Sequence, residues 1–157
     1  MQTELTLKNL NLPVPDGFHV MDDAELSDLK LLADGDGAGL SDPVRHMIVT
    51  VGTKQINGFS AALLNARDLA KNMEKQIRKP MASLGYRCEG FRQQTVGGRT
   101  AEGFRYSYTA QGVGMTGESY VVKDGKSLYY LHAYMRTELL EASLPVWEEV
   151  LATAAFR

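Results

Sequence analysis

Two kinds of hydrophobic pattern divide this chain. In the segments 5–7 and 45–51, apolar and β-branched residues are spaced as strands require, and both segments are predicted to be strands. Between Ser60 and Pro80 the apolar residues instead recur every three or four positions. This spacing predicts an amphipathic helix that is capped by Ser60 and stopped or kinked by Pro80. The apolar stripe of this helix comprises Leu63, Ala66, Ala70, Met73 and Ile77.

Four more strands and a second helix are predicted downstream. Gly97-Gly98 joins the segments 86–96 and 99–108, and Asp124-Gly125 joins the segments 117–122 and 126–135, which is typical of tight hairpin turns. The segment 141–156 has helical periodicity, with Ser143 as its N-cap ahead of Pro145. This order of elements predicts an α+β fold, a twisted antiparallel sheet with both long helices packed on one face.

Composition sets the broad class of protein. The chain has 157 residues, of which 44% are hydrophobic, and this length predicts a single domain over residues 1–157. A net charge of -2 argues against a nucleic-acid binder, and without an apolar stretch of about 18 residues no membrane insertion is expected. Glu4 interrupts the N-terminal segment, which therefore does not resemble a signal peptide, and Cys88 is the single cysteine. Together these features favour a cytoplasmic location.

Motifs for known chemistry are weak. The segment 112–117 matches G-x-G-x-x-G, but a strand is predicted on each side of it, whereas dinucleotide binding needs a following helix. The segment 34–39 begins like a calcium loop yet lacks the later ligands, and it is predicted to be an exposed loop. The three histidines lack the paired spacing of a zinc site. No catalytic residue, metal site or cofactor is therefore predicted.

Two weaker catalytic hypotheses stay open at the sequence level. Cys88 and His132 would form a nucleophile and base if the sheet brought them together. Glu102 and Glu118 would form a carboxylate pair if they faced each other on neighbouring strands.

Tyrosine is concentrated in one part of the chain, with six of the seven tyrosines between residues 106 and 134. Strand parity places Leu131, Ala133 and Met135, with Tyr129, on one side of the last strand, suited to packing beneath helices, and Tyr130, His132 and Tyr134 on the other. Tyrosine combines apolar area with a hydroxyl group that can stay hydrated, so this side is predicted to bind a partner. The alternative is that the rings only stabilise the sheet. The candidate binding residues are Phe104, Tyr106, Tyr108, Tyr120, Tyr130, His132 and Tyr134.

Five features of the chain carry a resemblance to a known family. They are Val14-Pro15-Asp16-Gly17-Phe18, Gly97-Gly98-Arg99-Thr100-Ala101, Phe104-Arg105-Tyr106, Tyr129-Tyr130-Leu131, and the last helix with Trp147 and Leu151. This layout resembles the DcrB-related family within the PsbP-like fold group. The resemblance implies a curved antiparallel sheet backed by helices and no known chemistry. Some members of that family are bacterial chaperones of type VI secretion effectors, and likeness to that branch implies a homodimer that shelters apolar transmembrane segments of its cargo.

Three functions are compatible with this sequence. The first is a non-enzymatic protein-binding module, a chaperone or adaptor that holds an apolar segment of a partner on its tyrosine-rich side, with Arg105, Glu118 and His132 at the margins. The second is a small-ligand carrier or an enzyme with a pocket between sheet and helices. The third is a domain that only self-associates.

Overall fold

The computed structural model describes residues 3–28 and 36–157. Its elements are strands arranged in two antiparallel sheets, together with four helices in the described residues. The helices are α1 (Asp23–Asp28), α2 (Gly58–Leu63), α3 (Ala66–Met81) and α4 (Leu140–Thr153). The strands are β1 (Glu4–Leu7), β2 (Leu10–Pro13), β3 (His19–Val20), β4 (Asp36–Asp42), β5 (Met47–Gln55), β6 (Arg87–Val96), β7 (Arg99–Ala110), β8 (Val113–Asp124), β9 (Ser127–Arg136) and β10 (Ala155–Phe156).

The larger sheet has the strand order β3-β4-β5-β9-β8-β7-β6, and the smaller one has the order β1-β2-β10. Strands β6 to β9 form the predicted meander, and Gly97, Gly98 and Gly125 adopt the positive φ values that their tight turns require. The α+β class with an antiparallel sheet is thus confirmed. Among the described helices, none combines the length and apolarity needed to cross a bilayer.

The two long helices pack on opposite faces of the large sheet, not on one face as predicted. The α4 face carries Leu131 and Ala133, which share a core with Trp147. The α3 face carries Phe104 and Leu128, which share a second core with α3. Because both faces of the central strands are apolar, each face requires its own helix to exclude water.

The predicted helix beginning at Ser60 is interrupted at Asn65. The Asn65 side chain accepts a hydrogen bond from the Arg67 amide at 2.8 Å and so caps a new helix, α3, separate from α2. Leu63, predicted to lie on the buried stripe, belongs to α2 and is 68% exposed.

Two smaller expectations also differ from the structure. Of the predicted loop 34–39, residues 34 and 35 lie outside the described residues, and residues 36–39 belong to β4. Helix α4 follows a 3-10 turn, so that Ser143 is buried inside the helix and does not cap it.

Glycine and tyrosine face each other across β7 and β8, once on each side of the sheet. Gly103 pairs with Tyr120 on the α4 face, and Gly117 pairs with Tyr106 on the α3 face. A Cβ atom at Gly103 would clash with the Ser119 carbonyl oxygen and the Tyr120 ring, and one at Gly117 would clash with the Tyr106 ring. Each ring therefore lies flat over a glycine, close to the backbone.

Gly103→Ala is expected to lower the free energy of unfolding by about 1–3 kcal/mol, since the new methyl group meets backbone that cannot yield easily. Gly114→Ala is the matched control in β8. Its Cβ would lie 3.7 Å from Thr137, an ordinary contact, and its effect should be small. Urea denaturation of both variants measures the difference, and equal stabilities would contradict the close packing of Tyr120 on Gly103.

Candidate functional site

A groove of about 660 Å³ lies between α3 and the large sheet. Its α3 wall contains a row of four apolar residues at intervals of four, which spans about 18 Å along the helix, and the polar residues Asn72 and Gln76. Leu128, Tyr130 and His132 of β9 form the opposite wall, and Ile56 and Leu64, which flank α2, complete it. The row on α3 consists of Leu69, Met73, Ile77 and Met81.

The groove exists because α3 sits over one half of its face of the sheet. The helix packs mainly on β7 and β8, where Ala70 and Met73 meet Phe104 and Tyr106. The neighbouring strand β9 therefore receives only the edge of the helix, and the apolar row on that edge borders the groove, with Met73 itself buried.

Polar groups lie beneath one part of the groove. Ser119 and His132 form a hydrogen bond of 2.7 Å between Oγ and Nδ1, and the His132 ring stacks on Tyr134 at 6.2 Å. Burial lowers the pKa of His132 to about 4, although part of the residue remains accessible from the groove. Burial also raises the pKa of Tyr134 to about 12. Both rings are thus uncharged at neutral pH.

The structure divides the seven predicted site residues into two groups. Phe104, Tyr106 and Tyr120 are fully buried, so their rings do not reach a partner at the surface of this chain. Tyr120 moreover belongs to the α4 face, where its ring packs 6.3 Å from that of Trp147. The partly accessible members on the α3 face are Tyr108, Tyr130, His132 and Tyr134.

Glu118 and Arg105, expected at the margins of the tyrosine-rich side, lie on the α4 face instead. Glu118 is 1% exposed and accepts hydrogen bonds at one oxygen from Tyr120 (2.8 Å) and Trp147 (3.0 Å). Its other oxygen contacts Arg105 at 2.6 Å and Arg92 at 3.3 Å. This cluster fixes α4 to the sheet and leaves the carboxylate no open coordination for chemistry.

The structure does not bring together the residues of either catalytic hypothesis. Cys88 in β6 and His132 in β9 are three strands apart, a distance of about 14 Å. Glu102 faces the α3 side of the sheet, where it accepts a hydrogen bond from Gln93, whereas Glu118 faces the α4 side.

Sequence reasoning missed the groove and the apolar surface beside it. Phe59 and Leu63 on α2 are 78% and 68% exposed, next to the groove wall at Leu64. Asn65 was the signal in the sequence that could have revealed this surface. Asparagine favours the N-cap position, so its presence inside a periodic segment indicates that one helix ends and another begins there. Such a break would leave Leu63 outside the buried stripe of the second helix.

Comparisons with known proteins identify the fold. No family model matches the sequence, and no curated protein matches it significantly. The solution structure of cyanobacterial PsbP (CyanoP) from Synechocystis sp. PCC 6803 is similar, with a TM-score of 0.72 and 10% identity over 98% of this chain and 91% of that one. LpqN, involved in cell envelope biogenesis of Mycobacterium tuberculosis, has a TM-score of 0.54 and 16% identity over 93% and 82% of the two chains.

A protein of unknown function from Pseudomonas aeruginosa has a TM-score of 0.54 and 14% identity, with 99% of this chain and 96% of that one covered. Identities this low report a shared fold alone. The chain therefore has a PsbP-like fold, as its sequence layout implied.

Proposed function

We propose that this PsbP-like chain is a non-enzymatic protein-binding module whose groove beside α3 holds an apolar segment of another protein. The observation that carries the proposal is the row of apolar side chains on α3 that lines the groove between this helix and the sheet. A row at intervals of four, about three turns long, matches the length over which a helical segment docks in a groove.

The chemistry of the walls suits an apolar occupant. Met73 and Met81 are flexible and adapt to side chains of different shape. Tyr130 adds apolar area with a hydroxyl that can remain hydrated. Since the pKa of His132 is about 4, its ring is neutral at physiological pH and places no charge beneath the partner.

We further propose that the module acts as a chaperone or adaptor and that its cargo is an apolar helical segment of a secreted effector. Apolar segments of that kind aggregate when they are exposed, and a groove that covers one face would keep the cargo soluble. The resemblance to DcrB-related secretion chaperones supports this extension, and it also implies a homodimer, which sedimentation of the free protein tests.

The groove is tested with a fluorescein-labelled helical leucine–alanine peptide of about 20 residues with serine ends, long enough to fill the row on α3. Ile77→Asp and Met81→Asp are each expected to weaken binding about tenfold or more, because a carboxylate would be buried against the peptide. Lys75→Asp, on the exposed side of α3, is the control and should bind as the wild type does. Unchanged affinity in both groove variants, with folding confirmed by circular dichroism, would overturn the proposal.

A small amphipathic ligand is the second candidate. The groove volume falls within the range of small-molecule sites, and the Ser119–His132 pair offers polar contacts beside apolar walls. Native mass spectrometry of the purified protein separates the two functions, because a bound small molecule that His132→Phe removes would favour this candidate.

A further inference from the structure

The apolar surface of the groove continues onto α2. Ile56 and Leu64 line the groove and flank this helix directly in the chain. Phe59 and Leu63 are four residues apart, so they project from the same side of α2, and both are largely exposed. A bound segment that extends beyond the groove at this end therefore contacts two further apolar side chains, Phe59 and Leu63.

Helix α2 is held firmly in place even though its apolar side is uncovered. The Lys123 ammonium donates hydrogen bonds to the carbonyl oxygens of Ala61 and Leu64 at the end of α2. The cap at Asn65 then fixes the start of α3. Phe59 and Leu63 thus project from a segment that the sheet positions.

Two cations border this exit. Lys54 lines the groove, and Lys126 lies against the start of α2 with its Cε 3.4 Å from where a Gly58 Cβ would be. Both are exposed, and neither forms a salt bridge with another residue in the described part of the chain.

On the opposite face of the large sheet, helix α4 has the reverse charge. It carries Glu141, Glu148 and Glu149, all exposed, and no basic residue. The chain has a net charge of -2, so the cations at the α2 exit are a local excess against an acidic average. Such an arrangement orients a charged partner and excludes one of the wrong sign.

Given the proposed function, we infer that the partner segment carries acidic residues directly beside its apolar stretch. The apolar stretch occupies the groove and covers Phe59 and Leu63, and the acidic residues pair with Lys54 and Lys126. These pairs lie at the solvent-exposed rim, so they add modest affinity that salt screens, together with a fixed direction of binding.

Two versions of the leucine–alanine peptide test this inference, one with serine at both ends and one with three aspartates at one end. The wild type is expected to bind the acidic version about fivefold more tightly, as two rim ion pairs allow. This preference should shrink at about 0.5 M salt. Lys54→Glu combined with Lys126→Glu should abolish the preference, measured as the ratio of the affinities for the two peptides. Glu148→Lys combined with Glu149→Lys, on the acidic side, is the matched control and should keep it.

The outcomes distinguish the two proposals. Equal affinity for both peptides, or a preference that survives in the Lys54 and Lys126 variant, would overturn the acidic-partner inference while the groove function stands. Failure of the wild type to bind either peptide would remove the groove function and this inference with it.

Discussion

Replacing Glu118 with alanine is expected to destabilise the fold by about 3–5 kcal/mol, the cost of breaking a buried ion pair by removing one partner. The carboxylate is 1% exposed and receives donors from three strands, β6, β7 and β8, and from α4. Its loss would leave the Trp147 indole N–H and the Tyr120 hydroxyl buried without an acceptor, and Arg105 without its counter-ion.

Urea denaturation measures this effect, with Glu102→Ala as the control. Glu102 lies on the adjacent strand β7, but it is partly accessible and bonded to Gln93, so its loss should cost less than about 1 kcal/mol. Glu118→Gln keeps the shape and one acceptor, and it should fall between the two. If Glu118→Ala were as stable as Glu102→Ala, the cluster would not be what fastens α4 to the sheet.

Local patterns in the sequence were sufficient for the meander and for helix α3 after its start. Gly97-Gly98 sets one hairpin, because few other residues accept the positive φ of such a turn. Asp124-Gly125 indicated the other hairpin one residue early, since Asp124 ends β8 opposite Ser127 and the turn residues are Gly125 and Lys126. Strand parity then placed Tyr106 and Tyr130 on one face, and the register of β7, β8 and β9 confirms it. These features depend on residues close in the chain, which a pattern records directly.

The faces of the sheet on which the helices pack could not be predicted from local sequence patterns. Parity sorts side chains into two faces, but it does not say which face a helix covers. Tyr106 was interpreted as a surface residue because tyrosine tolerates water, whereas Gly117 across the strand pair lets its ring lie flat beneath α3. Interior strand glycines paired with aromatic residues were the overlooked sign of close packing.

The candidate site was predicted only in part for the same reason. Tyr130 and His132 do line the groove, but its other wall comes from α3, which was expected on the opposite face. A groove between two elements is set by how far one is displaced over the other. That displacement depends on the packing of Ala70 and Met73 against Phe104, which no local pattern encodes.

His132 makes the stability of the fold depend on pH in a defined window. Burial lowers its pKa from 6.5 to about 4, so the folded protein holds the ring neutral while the unfolded chain is protonated first. The contribution of His132 to stability is therefore full above about pH 6.5, falls as the pH decreases, and levels off below about pH 4. The two pKa values correspond to a loss of about 3 kcal/mol across this window.

Chemical denaturation of the wild type and His132→Gln between pH 7 and 4 tests this dependence. The variant lacks the titrating group and should lose about 3 kcal/mol less over this range than the wild type. Asp42 acts in a lower window: burial tends to raise its pKa, but hydrogen bonds from Arg45 outweigh this and hold it below 3.8. Its contribution is lost only as the pH falls through that lowered value, so it does not overlap with the effect of His132. If the free energy of unfolding varied with pH in the same way for the wild type and His132→Gln, His132 would be protonated equally easily in the folded and unfolded states. Its ring would then not be desolvated beneath the groove.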